Sequence, residues 1–94
     1  MAQWKTQKLK RLAKALLSLH TEDEMISFLR DVATLEELNE LSNRWDVVLQ
    51  LKNGKNYRDV AINTGMSTTT ITRIAHWLNH GEGGYRVALK RLKK

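Results

Sequence analysis

Apolar residues recur along this chain every three or four positions, and no stretch alternates as a strand would. In the first segment Leu9, Leu12, Ala13, Leu16 and Leu17 keep that spacing, with Lys5, Lys8, Lys10, Arg11 and Lys14 interspersed. The pattern predicts an amphipathic helix over Trp4–Leu19 with a lysine-rich outer face. Met25, Phe28, Leu29 and Val32 mark the apolar side of a second helix. Thr21-Glu22-Asp23-Glu24 precedes it as a capping box, in which the Thr21 hydroxyl and the Glu24 carboxylate each satisfy a free backbone amide. The same acids suit the positive end of the helix dipole.

Thr34-Leu35-Glu36-Glu37 repeats the box and opens the longest helix, with Leu38, Leu41, Trp45 and Val48 on one stripe. Leu35, Leu49 and Leu51 broaden that stripe, and Asn53-Gly54 ends it. Asn56 caps a short helix, Thr64-Gly65-Met66 breaks it, and Ser67 caps another that runs to about Asn79. His80 to Gly84 is a loop, and Tyr85, Ala88, Leu89 and Leu92 form a last short helix. The expectation is an all-α fold of about six helices in a single domain, residues 1–94. A chain of this length buries on the order of 60–65 % of its unfolded surface. Helices of a second copy would help to cover the long third helix.

The informative stretch lies at about 56–79 and reads as a helix-turn-helix. Ala61 lets the two helices approach closely, and Gly65, four residues later, supplies the positive backbone angle of the turn. Val60, Met66, Ile71 and Ile74 are expected to fill the space between the helices. Ser67, Thr68, Thr69, Thr72 and Arg73 remain exposed on the second helix. Short hydroxyl side chains allow close entry into a major groove, where they bond phosphates or base edges and their methyls meet thymine methyls. Arg73 can reach a guanine edge or a phosphate. Threonine is a middling helix former, so Thr68-Thr69-Thr70 needs a reason other than helix stability.

Charge raises the nucleic-acid reading without deciding it. The net charge is +6, but residues 1–20 carry five basic and no acidic side chains, and residues 51–94 carry nine basic and two acidic. Residues 21–50 hold eight acidic and two basic side chains, so two basic ends flank an acidic middle. Lys5 to Lys14 read as a solvated face or as an arm on the DNA backbone. Lys90, Arg91, Lys93 and Lys94 read as dipole-matched helix ends or phosphate contacts. Trp4, Trp45 and Trp77 are read as core or dimer interface.

Several classes drop out. The chain has no cysteine, so no disulfide or thiolate metal site forms. The N-terminus lacks the uninterrupted apolar stretch of a signal peptide and no run approaches the ~18 residues of a membrane span. The lack of cysteine fits a reducing cytoplasm, and with the DNA-binding reading a cytoplasmic, nucleoid-associated protein is expected. His76 and His80 stand four apart as zinc-binding pairs do, yet only Glu82 offers a third ligand, so they are read as surface histidines. No nucleophile–base–orienter set and no glycine-rich phosphate loop is visible, and an enzyme is not expected. Two other functions stay open: a helical protein-interaction module, and a sequence-neutral nucleic-acid binder working by charge alone.

Thr34-Leu35-Glu36-Glu37, Arg44, Lys52-Asn53-Gly54, and Gly65 through Thr70-Ile71-Thr72-Arg73 together resemble the core of the Trp repressor family. Within it they are most similar to the YerC/YecD branch. The resemblance implies a protomer of six helices that forms an intertwined homodimer on double-stranded DNA, with two recognition helices in successive turns of an operator. It places Thr68, Thr69 and Thr72 against bases and Arg58 on phosphate. A family lysine is replaced by Ala61, which implies one backbone contact fewer.

The resemblance also places Thr34, Arg44 and Arg73 where the family's co-repressor indole is held. Ile74 and Trp77 replace small residues lining that pocket, and the segment between Gly54 and Gly65 is one residue shorter. Ile74 would take the space of an indole ring, and Trp77 can fill the cavity itself. The expectation is a sequence-specific regulator, a repressor, that needs neither tryptophan nor a cofactor; any other effector is unnamed.

Overall fold

The computed structural model describes residues 3–93, in which six α-helices and no strand are present. Lys94, read above with the basic C-terminal residues, lies outside them. The chain divides into two compact units, one through Leu38 and one from Asn39 onward.

The first unit holds α1 (Gln7–Leu17), α2 (Glu22–Val32) and the first turn of α3 (Leu35–Lys52). Helix α1 is shorter than the apolar pattern predicts. It starts after Thr6, whose hydroxyl accepts from the Leu9 amide at 3.1 Å, while Trp4 sits in a turn closed by the Thr6 amide. It ends where the Ser18 hydroxyl donates to the Ala15 carbonyl at 2.6 Å. Periodicity marks which face is apolar; capping hydrogen bonds decide where the helix begins and stops.

The two capping boxes differ. At the start of α3, the Glu37 amide donates to the Thr34 hydroxyl at 3.0 Å and the Thr34 amide donates to the Glu37 carboxylate at 2.8 Å. That is the reciprocal box the sequence predicts. At the start of α2 the Thr21 hydroxyl accepts from the Glu24 amide at 3.1 Å, but the Glu24 carboxylate accepts from His20 at 2.8 Å, one residue before the cap. The free amide satisfied is therefore not the one predicted.

The second unit is built from the rest of α3 with α4 (Tyr57–Thr64), α5 (Thr68–His80) and α6 (Gly84–Leu92). Val47 and Val48 of α3, Val60 of α4, and Ile71 and Ile74 of α5 are fully buried in one cluster. Each contributes on the order of 1.5–3 kcal/mol by leaving water. Trp45, Leu51, Ala61, Met66, Leu78, Tyr85 and Leu89 pack around it. Helix α6 is tied to the end of α5 by Arg86, whose guanidinium donates to the Leu78 carbonyl at 3.1 Å and to that of Asn79. The Tyr85 ring lies 6.1 Å from that of Trp45. Nothing in the sequence pattern singled out Arg86, because a surface arginine near a helix start is commonplace.

Candidate nucleic-acid interface

Helix α4 begins because the Asn56 side chain accepts from the Asp59 amide at 2.8 Å. It ends because Gly65 takes a left-handed conformation, φ 73°, and donates its amide to the Ala61 carbonyl at 2.9 Å. A β-carbon disfavours that conformation, which is why glycine stands there. Thr64 reinforces the stop by donating its hydroxyl to the Val60 carbonyl at 2.7 Å while accepting from the Met66 amide at 3.3 Å. Residues 65–67 make the turn, and Ser67 caps α5 by accepting from the Thr70 amide at 3.1 Å. Met66, partly buried, plugs the corner between the helices. The helix-turn-helix predicted at about 56–79 is thus present, with α5 running one residue further.

Ile71, Ile74 and Ala75 turn into the core and give α5 a buried face. Ser67, Thr68, Thr69, Thr72 and Arg73 are exposed on it, and Arg58 is exposed on α4. Their roles differ in detail. The Ser67 hydroxyl is committed to the cap and donates to Thr70 Oγ1 at 3.0 Å. Thr72 donates its hydroxyl back to the Thr68 carbonyl at 2.9 Å, which leaves its oxygen to act only as an acceptor. Among the described residues, Thr68 and Thr69 have no side-chain hydrogen-bond partner, so both hydroxyls are available to a ligand as donor or acceptor. The one ion pair among the described residues is Arg44 with Glu40 at 3.1 Å. Arg58 and Arg73 therefore carry positive charge without a carboxylate beside them.

Of the residues nominated for an effector pocket, Thr34 belongs to the first unit and Arg44, Arg73, Ile74 and Trp77 to the second. Thr34 is spent on the α3 cap in the first unit. Ile74 is fully buried in the core of the second unit, where it faces α3 and α4 side chains rather than an open cavity. Arg44 and Trp77 do come together, with the guanidinium carbon 5.2 Å from the centre of the indole ring. Arg73 stands exposed on α5, one helical turn before Trp77. His76 and His80 have ring centres 5.1 Å apart and are both exposed. No group of three or more metal-ligating side chains gathers among the described residues.

The geometry defines a helical protein organised around a helix-turn-helix, and the relatives narrow that class. The chain matches the model of the Trp repressor protein family over residues 7–93 and belongs to that family. It is 36 % identical over 86 residues to the uncharacterized protein YerC of Bacillus subtilis, a match covering 92 % of this chain and 83 % of YerC. The crystal structure of a TrpR-like protein from Eubacterium eligens superposes with a TM-score of 0.87 at 42 % identity. That match covers 94 % of this chain and 91 % of the other. The all-α, six-helix expectation and the family resemblance therefore both hold. No described helix is long and apolar enough to cross a membrane.

Proposed function

We propose that the chain is a dimeric, sequence-specific DNA-binding regulator, acting as a repressor in the cytoplasm, that does not require tryptophan. The observation that carries this reading is the exposed face of α5, with two unpartnered threonine hydroxyls and an unpaired arginine mounted on a helix whose other face is buried. Thr68, Thr69, Thr72 and Arg73 read bases in the major groove, and Arg58 holds phosphate. Membership of a family of helical DNA-binding regulators supports the same reading. A pure charge binder would place lysines on α5, and α5 has none.

Large apolar side chains left in water support the dimer. Leu17, Ile26, Val32, Leu35 and Leu41 are all more than half exposed. Independence from tryptophan is supported by Trp77, which already lies against Arg44.

Selection from genomic DNA fragments at near-physiological salt, with and without L-tryptophan, tests the proposal. Enrichment of a palindromic site in both conditions is the expected result. Enrichment with tryptophan alone would reinstate a co-repressor mechanism, and no enriched site would bring forward docking of a protein partner.

A further inference from the structure

Trp77 is an unusual residue to find beside a reading surface. It is large and apolar, 41 % exposed, and placed one turn beyond Arg73 on the outward part of α5. Its partner is not apolar. The Arg44 guanidinium of α3 lies over the indole at 5.2 Å, within the range in which the ring quadrupole attracts a cation. Glu40, one turn earlier on α3, accepts from Arg44 Nε at 3.1 Å. The carboxylate bonds the guanidinium through Nε, so the cation that meets the ring is itself held in place, and a lysine has no such second donor to offer. Glu40, Arg44 and Trp77 thus form a chain of contacts from α3 to α5, in addition to the buried cluster that joins the same two helices.

The two links act at different points on α5. Val47 and Val48 against Ile71 and Ile74 hold the inner face of α5, where rotation about the helix axis is resisted by close packing alone. A ring held against a cation outside that cluster adds a second point of resistance to such rotation. Rotation is also the motion that would swing Thr69, Thr72 and Arg73 out of register with base edges.

We propose that Trp77, held against Arg44, is a positioning residue for DNA reading: it sets the rotation of α5 with an indole carried by the chain itself, so that no free aromatic ligand is needed. The inference rests on the DNA-binding reading of α5.

The test is chemical rescue. Affinity for the selected operator and for a scrambled duplex is measured for the wild type, Trp77→Ala, Trp77→Phe and Arg44→Ala, each with and without millimolar indole. A cation–ring contact of this kind supports about a 3- to 30-fold loss of operator affinity in Trp77→Ala, with scrambled-duplex binding and the salt slope unchanged. Indole restores the loss by occupying the vacated face of Arg44, and Trp77→Phe keeps most of the wild-type affinity. Arg44→Ala shows a similar loss that indole does not restore, since the ring then has no cation to sit on. Arg44 lies outside the apolar cluster, so this variant keeps the question open to measurement if Trp77→Ala folds poorly.

Operator binding by Trp77→Ala or Arg44→Ala equal to that of the wild type overturns the proposal. So does an Arg44→Ala variant rescued by indole. Failure of the wild-type chain to prefer operator over scrambled duplex removes the DNA-binding reading together with this one, which keeps the two failures apart.

Discussion

Arg58 and Arg73 are both exposed and unpaired, yet they are expected to fail differently when removed, because phosphate and base contacts scale differently with sequence and salt. Arg73→Ala should weaken operator binding by roughly 1–3 kcal/mol and leave scrambled-duplex binding nearly unchanged, as loss of a base-edge contact does. Arg58→Ala should weaken both duplexes alike and reduce the salt slope by about one. Titrations of both variants on both duplexes at several salt concentrations separate the cases. Equal losses on the two duplexes for Arg73→Ala would reassign it to phosphate. The sequence made these residues visible, since three threonines in a row open a helix that their propensity does not favour. It did not reveal that Thr72 is back-bonded to Thr68, nor that Arg44 and Trp77 meet. Those depend on rotamers and on the packing of two helices thirty residues apart, which local pattern does not encode.

At the level of elements, the turn between α4 and α5 and the end of α5 use glycine for two different reasons. Gly65 needs its positive φ, and a β-carbon built there meets nothing within 4 Å. Gly65→Ala should therefore cost only the left-handed backbone penalty, about 1–2 kcal/mol. Gly81 has an ordinary negative φ, but a β-carbon there would run into the Trp77 carbonyl, which accepts the Gly81 amide. Gly81→Ala should shift the end of α5 as well as destabilise it. Urea unfolding reports the first as a lower midpoint at constant slope. An Asn at 65, which tolerates the left-handed region better than alanine, should recover part of the loss there and none at 81. Sequence reading located both glycines at helix breaks but had no means of telling a conformational need from a steric one. The helix starts divide in the same way. Thr34 and Glu37 fit the box template fully, whereas Thr6 lacks an acid three residues on, so no pattern marks its cap and the apolar spacing overruns both ends of α1.

For the molecule as a whole, the question is what a chain with so small a buried core does with its remaining apolar surface. Among the described residues, the fully buried side chains are Ile71, Ile74, Val47, Val48 and Val60, all in the second unit. The helices of the first unit contain no fully buried residue, although α1 and α2 are both strongly amphipathic. Leu17 is 82 % exposed, and on α3 the predicted stripe is buried only in its later part, with Leu35 and Leu41 in water. Apolar surface left in water on a lone protomer gives up stabilisation of about 25 cal/mol for each Å² uncovered. If a second copy covers it, unfolding and dissociation become one event, and stability depends on protein concentration. A tenfold dilution then removes about 1.4 kcal/mol, which for a two-chain unit of this size lowers the melting temperature by roughly 3–6 °C. Replacing Leu41 with lysine places a charge on the covered face and should give a monomer at micromolar concentration with a lowered melting temperature. That variant should also lose operator binding far more than Arg58→Ala does, because two recognition helices joined in one particle gain from each other's attachment. Sedimentation equilibrium and thermal unfolding over a hundredfold range of concentration measure both effects. A melting temperature that does not move with concentration, in a chain that sediments as one protomer, would mean that a different partner covers these side chains.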